Sequence, residues 1–257
     1  MADELLRERH GHVEILTINR PDARNAINAA VSVGLGTALD ELADDTDASV
    51  VVLTGSGDKA FSAGMDLKAF AAGEGPAVLG APGGFGGVTR RHFPKPLIAA
   101  VNGSALAGGF EIVLACDLVV AADHATFGIP EAKRGLIAAA GGLVRLPKRL
   151  PLAVALELAL TGDPIDADRA LALGLVNRLV PSDRLLDEAI ALADRIAANA
   201  PLSVRHSKDV IYRSATVPED EGWAINDAAM GAVFSSADAM EGPVAFAEKR
   251  PPNWQGR

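Results

Sequence analysis

Apolar residues recur along the chain in two periods, and each predicts a different kind of element. Residues 12–19 (HVEILTIN), between Gly11 and Pro21, read as a strand. Residues 49–54 (SVVVLT) form a short run apolar on every position, as in a strand buried on both faces. Residues 97–101 (LIAAV) and 118–121 (LVVA) have the same character. From Asn28 onward the spacing lengthens: Val31, Leu35, Leu39 and Leu42 recur four and three apart, which predicts an amphipathic helix ending near Asp44-Asp45. A second helix is expected over residues 108–115. Strand and helix therefore alternate from about residue 12 to 128, the mark of an α/β unit with parallel strands.

Beyond about residue 150 the period is helical. Residues 153–160, 166–173, 184–199, 202–214, 219–234 and 237–250 are expected as helices, punctuated by Gly162-Asp163-Pro164, Pro181 and Pro201. No strand long enough to extend a sheet is expected there. Residues 71–87 hold seven glycines and two prolines. They are too poor in large side chains for a core element, which predicts a mobile surface loop.

The composition narrows the class. The chain has 257 residues, 49% hydrophobic and 22% charged, enough for one large domain that needs no staple to fold. Cys116 is its one cysteine, so no intrachain disulfide can form, and a reducing cytoplasm is expected. The start Met1-Ala2-Asp3-Glu4 lacks the look of a secretory signal, and no apolar run is long enough for a membrane span. A formal charge of −9 without a basic block speaks against nucleic acid, and 4% aromatics leaves little for base stacking.

Candidate chemistry lies in two glycine-rich loops after apolar strands. One is Ala60-Phe61-Ser62-Ala63-Gly64-Met65-Asp66-Leu67; the other runs from Asn102-Gly103 to Gly108-Gly109-Phe110-Glu111. Glycines can simply make turns. They also let a ligand approach the backbone, and two amides from separate loops could hold one developing oxyanion. Glu111 sits in the first turn of an otherwise apolar helix, and Glu131 follows 20 residues later. Each has an ordinary explanation, helix-terminal charge for Glu111 and an ion pair with Lys133 or Arg134 for Glu131. As a pair at one site they could instead activate a water and return a proton to carbon. Other motifs carry less. Gly55-Ser56-Gly57-Asp58-Lys59-Ala60 imitates a dinucleotide fingerprint but lacks the helix that must follow. Ser62 and Ser104 lack a nucleophile elbow. His10 and His12 lie near a terminus expected to fray, without acidic partners. Cys116 reads as a small core residue, and no metal-ligand spacing is present.

Taken together, these segments resemble the crotonase (enoyl-CoA hydratase/isomerase) superfamily. The similarity runs through Asn19-Arg20-Pro21 with Asn25-Ala26, Phe61 to Leu67, Ala100 to Gly103, Gly108 to Glu111, Phe127 to Glu131 and Gly141 to Pro147. Gly83-Gly84-Phe85-Gly86-Gly87, and the stretch from Glu241-Gly242-Pro243 to Arg250, look most like the carnitinyl-CoA dehydratase branch. The resemblance implies an α/β crotonase (ClpP-like) spiral of ββα turns over residues 1–195. It also implies a helical C-terminal region, 196–257, that builds trimers or hexamers. It assigns the backbone N–H groups of Ala63 and Gly108 to an oxyanion hole for an acyl-CoA thioester, and Glu111 and Glu131 to catalysis. Arg24 and Lys59 are matched to the CoA phosphates, and Gly64, Met65, Asp66, Leu67 and Ala139 to the substrate. Phe246 and Lys249 match positions that can reach a neighbouring subunit's CoA. No separate cofactor or metal is implied, since coenzyme A arrives with the substrate. Two glutamates favour hydration of a trans-2-enoyl-CoA. Carnitinyl-CoA dehydration, enoyl-CoA isomerisation and a non-catalytic RNA-binding role are the alternatives. Many members have Pro-Gly where this chain has Ala138-Ala139, and in the hydratases that glycine's N–H helps place the water.

Overall fold

The structure is a computed structural model that describes residues 3–257, so Met1 and Ala2 of the acidic start lie outside the described residues. Its first strands, β1 (Leu5–His10) and β2 (Val13–Ile18), form an antiparallel hairpin around Gly11. Thereafter the chain repeats one pattern. A long buried strand is followed by a short strand and then a helical segment. The first turn is β3 (Val50–Gly55), β4 (Ala60–Ser62) and the short helices α2 (Leu67–Ala69) and α3 (Gly75–Leu79), after a helix α1 (Ala29–Asp44) that Asn28 caps. The second is β5 (Leu97–Val101), β6 (Ser104–Leu106) and α4 (Gly108–Ala115). The third is β7 (Leu118–Ala122), β8 (Thr126–Gly128), α5 (Gly142–Arg149) and α6 (Leu152–Thr161).

Long and short strands sort into different sheets. One has six strands in the order β1-β2-β3-β5-β7-β10, and the other has four in the order β4-β6-β8-β9. Pairing is parallel from β2 to β10 and from β4 to β8. The long strands are buried on both faces, as their unbroken apolar runs require. Val50, Val52, Ile98 and Ala100 face α8 (Leu185–Ala197), through Leu185, Ala189 and Ala193. Val51, Leu53, Ala99 and Val101 face the main core with α1 and α4. Successive residues thus serve opposite cores, the period-two alternation of a strand.

Three expectations are corrected. The C-terminal third does extend both sheets: β9 (Ile165–Asp166), just before α7 (Ala167–Ala172), pairs with β8, and β10 (Arg178–Val180) pairs with β7. Neighbouring parallel strands supply the backbone partners that let three residues hold as a strand. Residues 71–87 are not a free loop, because Val78 and Phe85 are buried and Gly87 touches α1. A Cβ on Gly87 would lie 2.6 Å from the backbone of Gly36, so the glycines here permit close packing. The His10 segment is paired along β1 instead of frayed, and its ring lies 2.8 Å from Glu8 Oε1. One further helix, α5, lies outside the expected ones and carries Pro147 within it.

The C-terminal helices are α9 (Pro201–Ser214), α10 (Glu219–Phe234) and α11 (Ala237–Glu248). They leave Ile211, Trp223, Phe234, Met240 and Phe246 exposed. No helix among the described residues is long and apolar enough to cross a membrane.

Candidate active site

In adjacent parallel strands the carboxyl ends line up, and ligands in α/β sheets collect there. The chain leaving β4 carries Gly64 and Met65, the chain leaving β6 carries Gly108 and Glu111, and the chain leaving β8 carries Glu131. Three segments far apart in sequence thus become neighbours, since β4, β6 and β8 are consecutive in the smaller sheet. Gly64 and Gly108 touch: a Cβ on Gly64 would stand 2.9 Å from Gly108 N.

At this meeting point the amides of Met65 and Gly108 have no acceptor among the described residues. Each follows a residue at positive φ, Gly64 at 89° and Ala107 at 52°. A backbone turned that way takes the next N–H out of the ladder. For alanine it is a strained conformation of the kind that gathers at functional sites.

The geometry corrects the expected donor in the first loop. Ala63 N–H donates to Arg24 O at 3.0 Å and is occupied. Gly64 N–H donates to Ser62 Oγ at 3.2 Å. The free amide comes one residue later, at Met65, because Gly64 N–H is also engaged and Ile27 pairs with Gly64 O and Asp66 N on either side. Counting along a motif cannot reveal which amides a neighbouring loop has already taken.

Glu111 is 3% exposed and accepts from Gly142 N–H at 2.8 Å. Burial pushes its carboxyl up to about 7, against the pull of the Gly142 and Ala140 amides and with a further push from Glu131. Glu131 stands on the 3-10 turn Pro130–Arg134, and burial raises its carboxyl as well. Its Oε2 is buried without a hydrogen-bond partner. The surface ion pair is not made: Lys133 binds Asp163 instead. Both carboxyls are thus desolvated and raised, Glu111 feels the charge of Glu131, and one oxygen of Glu131 is unsatisfied, the environment in which acid–base groups are found.

Asp66, expected at the substrate, is structural. Its carboxylate accepts from Arg20 at 2.9 Å and from the Lys68 and Ala69 amides at 3.0 and 3.1 Å, capping α2. Arg20 also reaches Glu4 at 3.0 Å and the Ala26 carbonyl at 2.6 Å, so it straps the N-terminal hairpin to the donor loop. Asn25 does similar work, being fully buried and donating to Ser56 O and Ala60 O. These roles explain why the Asn19-Arg20-Pro21 and Asn25-Ala26 segments accompany the site.

Arg24 and Lys59 are exposed on the loops beside β4, and Leu67 is exposed on α2. Ala139 is exposed beside the Ala140 and Gly142 amides that face Glu111. Phe246, 87% exposed, and Lys249 sit at the end of α11. Among the described residues no three His, Cys, Asp or Glu side chains gather as a metal site.

Residues 8–257 match the family model described as enoyl-CoA hydratase/isomerase. A carnitinyl-CoA dehydratase of Citrobacter koseri is 45% identical over 262 residues, covering all of both chains. Among solved structures, an enoyl-CoA hydratase from Mycobacterium tuberculosis is 53% identical, with a TM-score of 0.96 over 99% of this chain and 100% of that one. A carnitinyl-CoA hydratase from Mycobacterium avium is 48% identical, with a TM-score of 0.81 and full coverage of both. The expected crotonase fold is thereby the observed one, and the chain belongs to the enoyl-CoA hydratase/isomerase family of enzymes.

Proposed function

We propose that the protein is a hydro-lyase that adds water reversibly across the double bond of a trans-2-enoyl-CoA. The observation that carries this reading is the pair of desolvated glutamates beside two unpartnered amides. In the hydration direction, one glutamate takes a proton from water as its oxygen bonds to Cβ. The C=C electrons move toward the thioester, and its oxygen gains charge facing the Met65 and Gly108 N–H groups. The other glutamate then delivers a proton to Cα. Burial helps here, because it keeps one carboxyl protonated near pH 7 while its neighbour is ionised. A donor of this kind is worth about 10²–10³ in rate. Arg24 and Lys59, exposed at the rim, suit the CoA phosphates.

A second reading takes crotonobetainyl-CoA as substrate, favoured by the full-length similarity to carnitinyl-CoA dehydratases. A quaternary ammonium is held by aromatic faces or acids. Phe85 lies against Gly108, while Trp223 and Trp254 belong to the C-terminal region, so the aromatic supply is thin. Rates of crotonyl-CoA and crotonobetainyl-CoA hydration, followed by absorbance of the conjugated thioester, decide between them. A kcat/KM higher for crotonyl-CoA supports the first reading, and the reverse order replaces it with the second. If Glu111→Gln and Glu131→Gln both hydrate either substrate at the wild-type rate, the two-glutamate mechanism is wrong.

The exposed apolar side chains of α9 to α11 support assembly into a trimer or hexamer, since contiguous apolar surface marks interaction faces. Mass measurement in solution tests it. The −9 charge supports a small-molecule role over RNA binding.

A further inference from the structure

Past the glutamates, α4 leads to a second opening. Leu114 and Ala115 follow Glu111 by three and four residues, on the same helix face one turn along. They form part of the wall of a 680 Å³ cavity between the core and α9, a wall that includes neither Glu111 nor Glu131. Its charge is unlike that of the whole molecule. Arg90, Arg91, Arg145, Lys148, Arg149 and Lys208 line it against a single carboxylate, Asp117, in a chain of net charge −9. Asp117 is already engaged by Lys208 at 2.7 Å, and Arg91 by Asp40. Among the described residues, Arg90, Arg145, Lys148 and Arg149 have no carboxylate within ion-pair distance.

Two of these cations are held in place. Arg145 Nη2 donates to Thr89 O at 2.6 Å, and Arg149 donates to the Cys116 carbonyl. Burial, together with the adjacent Arg149 charge, lowers the Arg145 guanidinium from its usual range. Like charges fixed around one cavity repel each other and favour an arriving counter-charge. We propose that this cavity binds a small polyanion, with a diphosphate-bearing molecule as the class it fits. Guanidinium forks match phosphate oxygens two at a time. The volume lies within the range of about 300–1,000 Å³ usual for small-molecule sites. A single carboxylate would leave most of the cations unmatched. The assignment does not rest on the reaction proposed above.

The test is calorimetric titration of the full-length protein with inorganic diphosphate at low and high salt. Saturable binding that weakens with salt is expected. The double variant Arg90→Gln/Lys148→Gln removes two of the unpaired, exposed cations and should weaken binding about a hundredfold, roughly tenfold for each charge-assisted contact. Arg195→Gln, an exposed cation on α8, should leave binding unchanged. Arg90→Lys/Lys148→Arg, which keeps both charges, should restore most of the affinity, and this separates lost charge from lost folding. Absence of saturable binding at millimolar diphosphate overturns the proposal, as does equal binding by the double variant. Repeating the titration with saturating coenzyme A identifies the source. Retained diphosphate binding is expected and supports a separate site, whereas lost binding would assign the anion to the coenzyme A of the proposed reaction and overturn the proposal.

Discussion

Glu111→Gln should make the protein more stable while making it a poorer enzyme, and the gain should depend on pH. The wild-type carboxyl is 3% exposed and titrates at about 7 instead of 4.5, chiefly because burial penalises its charged form. Between these two values the folded state holds a proton that the unfolded state has released. Wild-type stability therefore falls as pH rises from 4.5 to 7, by up to about 1.4 kcal/mol per pH unit. Above pH 7 the full penalty of holding a buried carboxylate remains, at most about 3 kcal/mol. Glutamine has no charge to bury, and its oxygen can still accept from Gly142 N–H, the 2.8 Å contact of the wild type. Urea unfolding at fixed protein concentration, at several pH values from 4 to 8, reads the difference directly. The variant should match the wild type near pH 4.5 and exceed it by about 2–3 kcal/mol at pH 8, with activity strongly reduced. A variant equally stable or less stable at pH 8, or a gain that does not shrink toward acid, would refute the assignment of Glu111 as a buried, proton-holding carboxyl.

The remaining predictions concern the amide pair and its supports. Met65→Pro removes an N–H that has no structural acceptor, so kcat should fall about 10²–10³-fold with little change in melting temperature. Ala63→Pro breaks the 3.0 Å bond to Arg24 O and should act mainly on stability, by about 1–3 kcal/mol in chemical denaturation. If the two variants exchange these behaviours, Ala63 is the donor after all. Gly64→Ala places a methyl 2.9 Å from Gly108 N at a φ of 89°. It should cost about 1–2 kcal/mol of stability and abolish hydration in the conjugated-thioester assay. Arg20→Gln strips Asp66 and Glu4 of a shared partner. Unfolding experiments should show a loss of about 2 kcal/mol.

Much of this molecule is legible in its residue pattern. The unbroken runs at 97–101 and 118–121 are strands because only a doubly covered sheet hides side chains on both faces, and β5 and β7 fall there. The residues 28–44 show their helix through Asn28, whose side chain accepts from Val31 N–H, and through the spacing of Val31, Leu35 and Leu39. What stayed hidden has a common cause. Strands β4, β6, β8 and β10, three residues each, carry no period long enough to read, and they exist because a parallel neighbour completes their hydrogen bonds. Residues 71–87 look like a loop because glycine is also what allows Gly87 to pack on α1.

The site divides in the same way. Residue type and position singled out both glutamates and the glycine loops as candidates, while their roles, and Gly108 as a donor, came from the family resemblance. The second donor came from neither. Whether Ala63 or Met65 offers a free N–H depends on Arg24, nearly forty positions earlier, whose carbonyl takes the Ala63 hydrogen. The raised carboxyl of Glu111 likewise arises from burial and the approach of Glu131, which outweigh the pull of the Gly142 amide, and the cations of the α9 cavity come from segments more than a hundred residues apart. Composition and period determine which elements form, because backbone geometry and solvent act locally. Which polar groups remain unpaired is decided only when distant segments pack together and either satisfy them or leave them free.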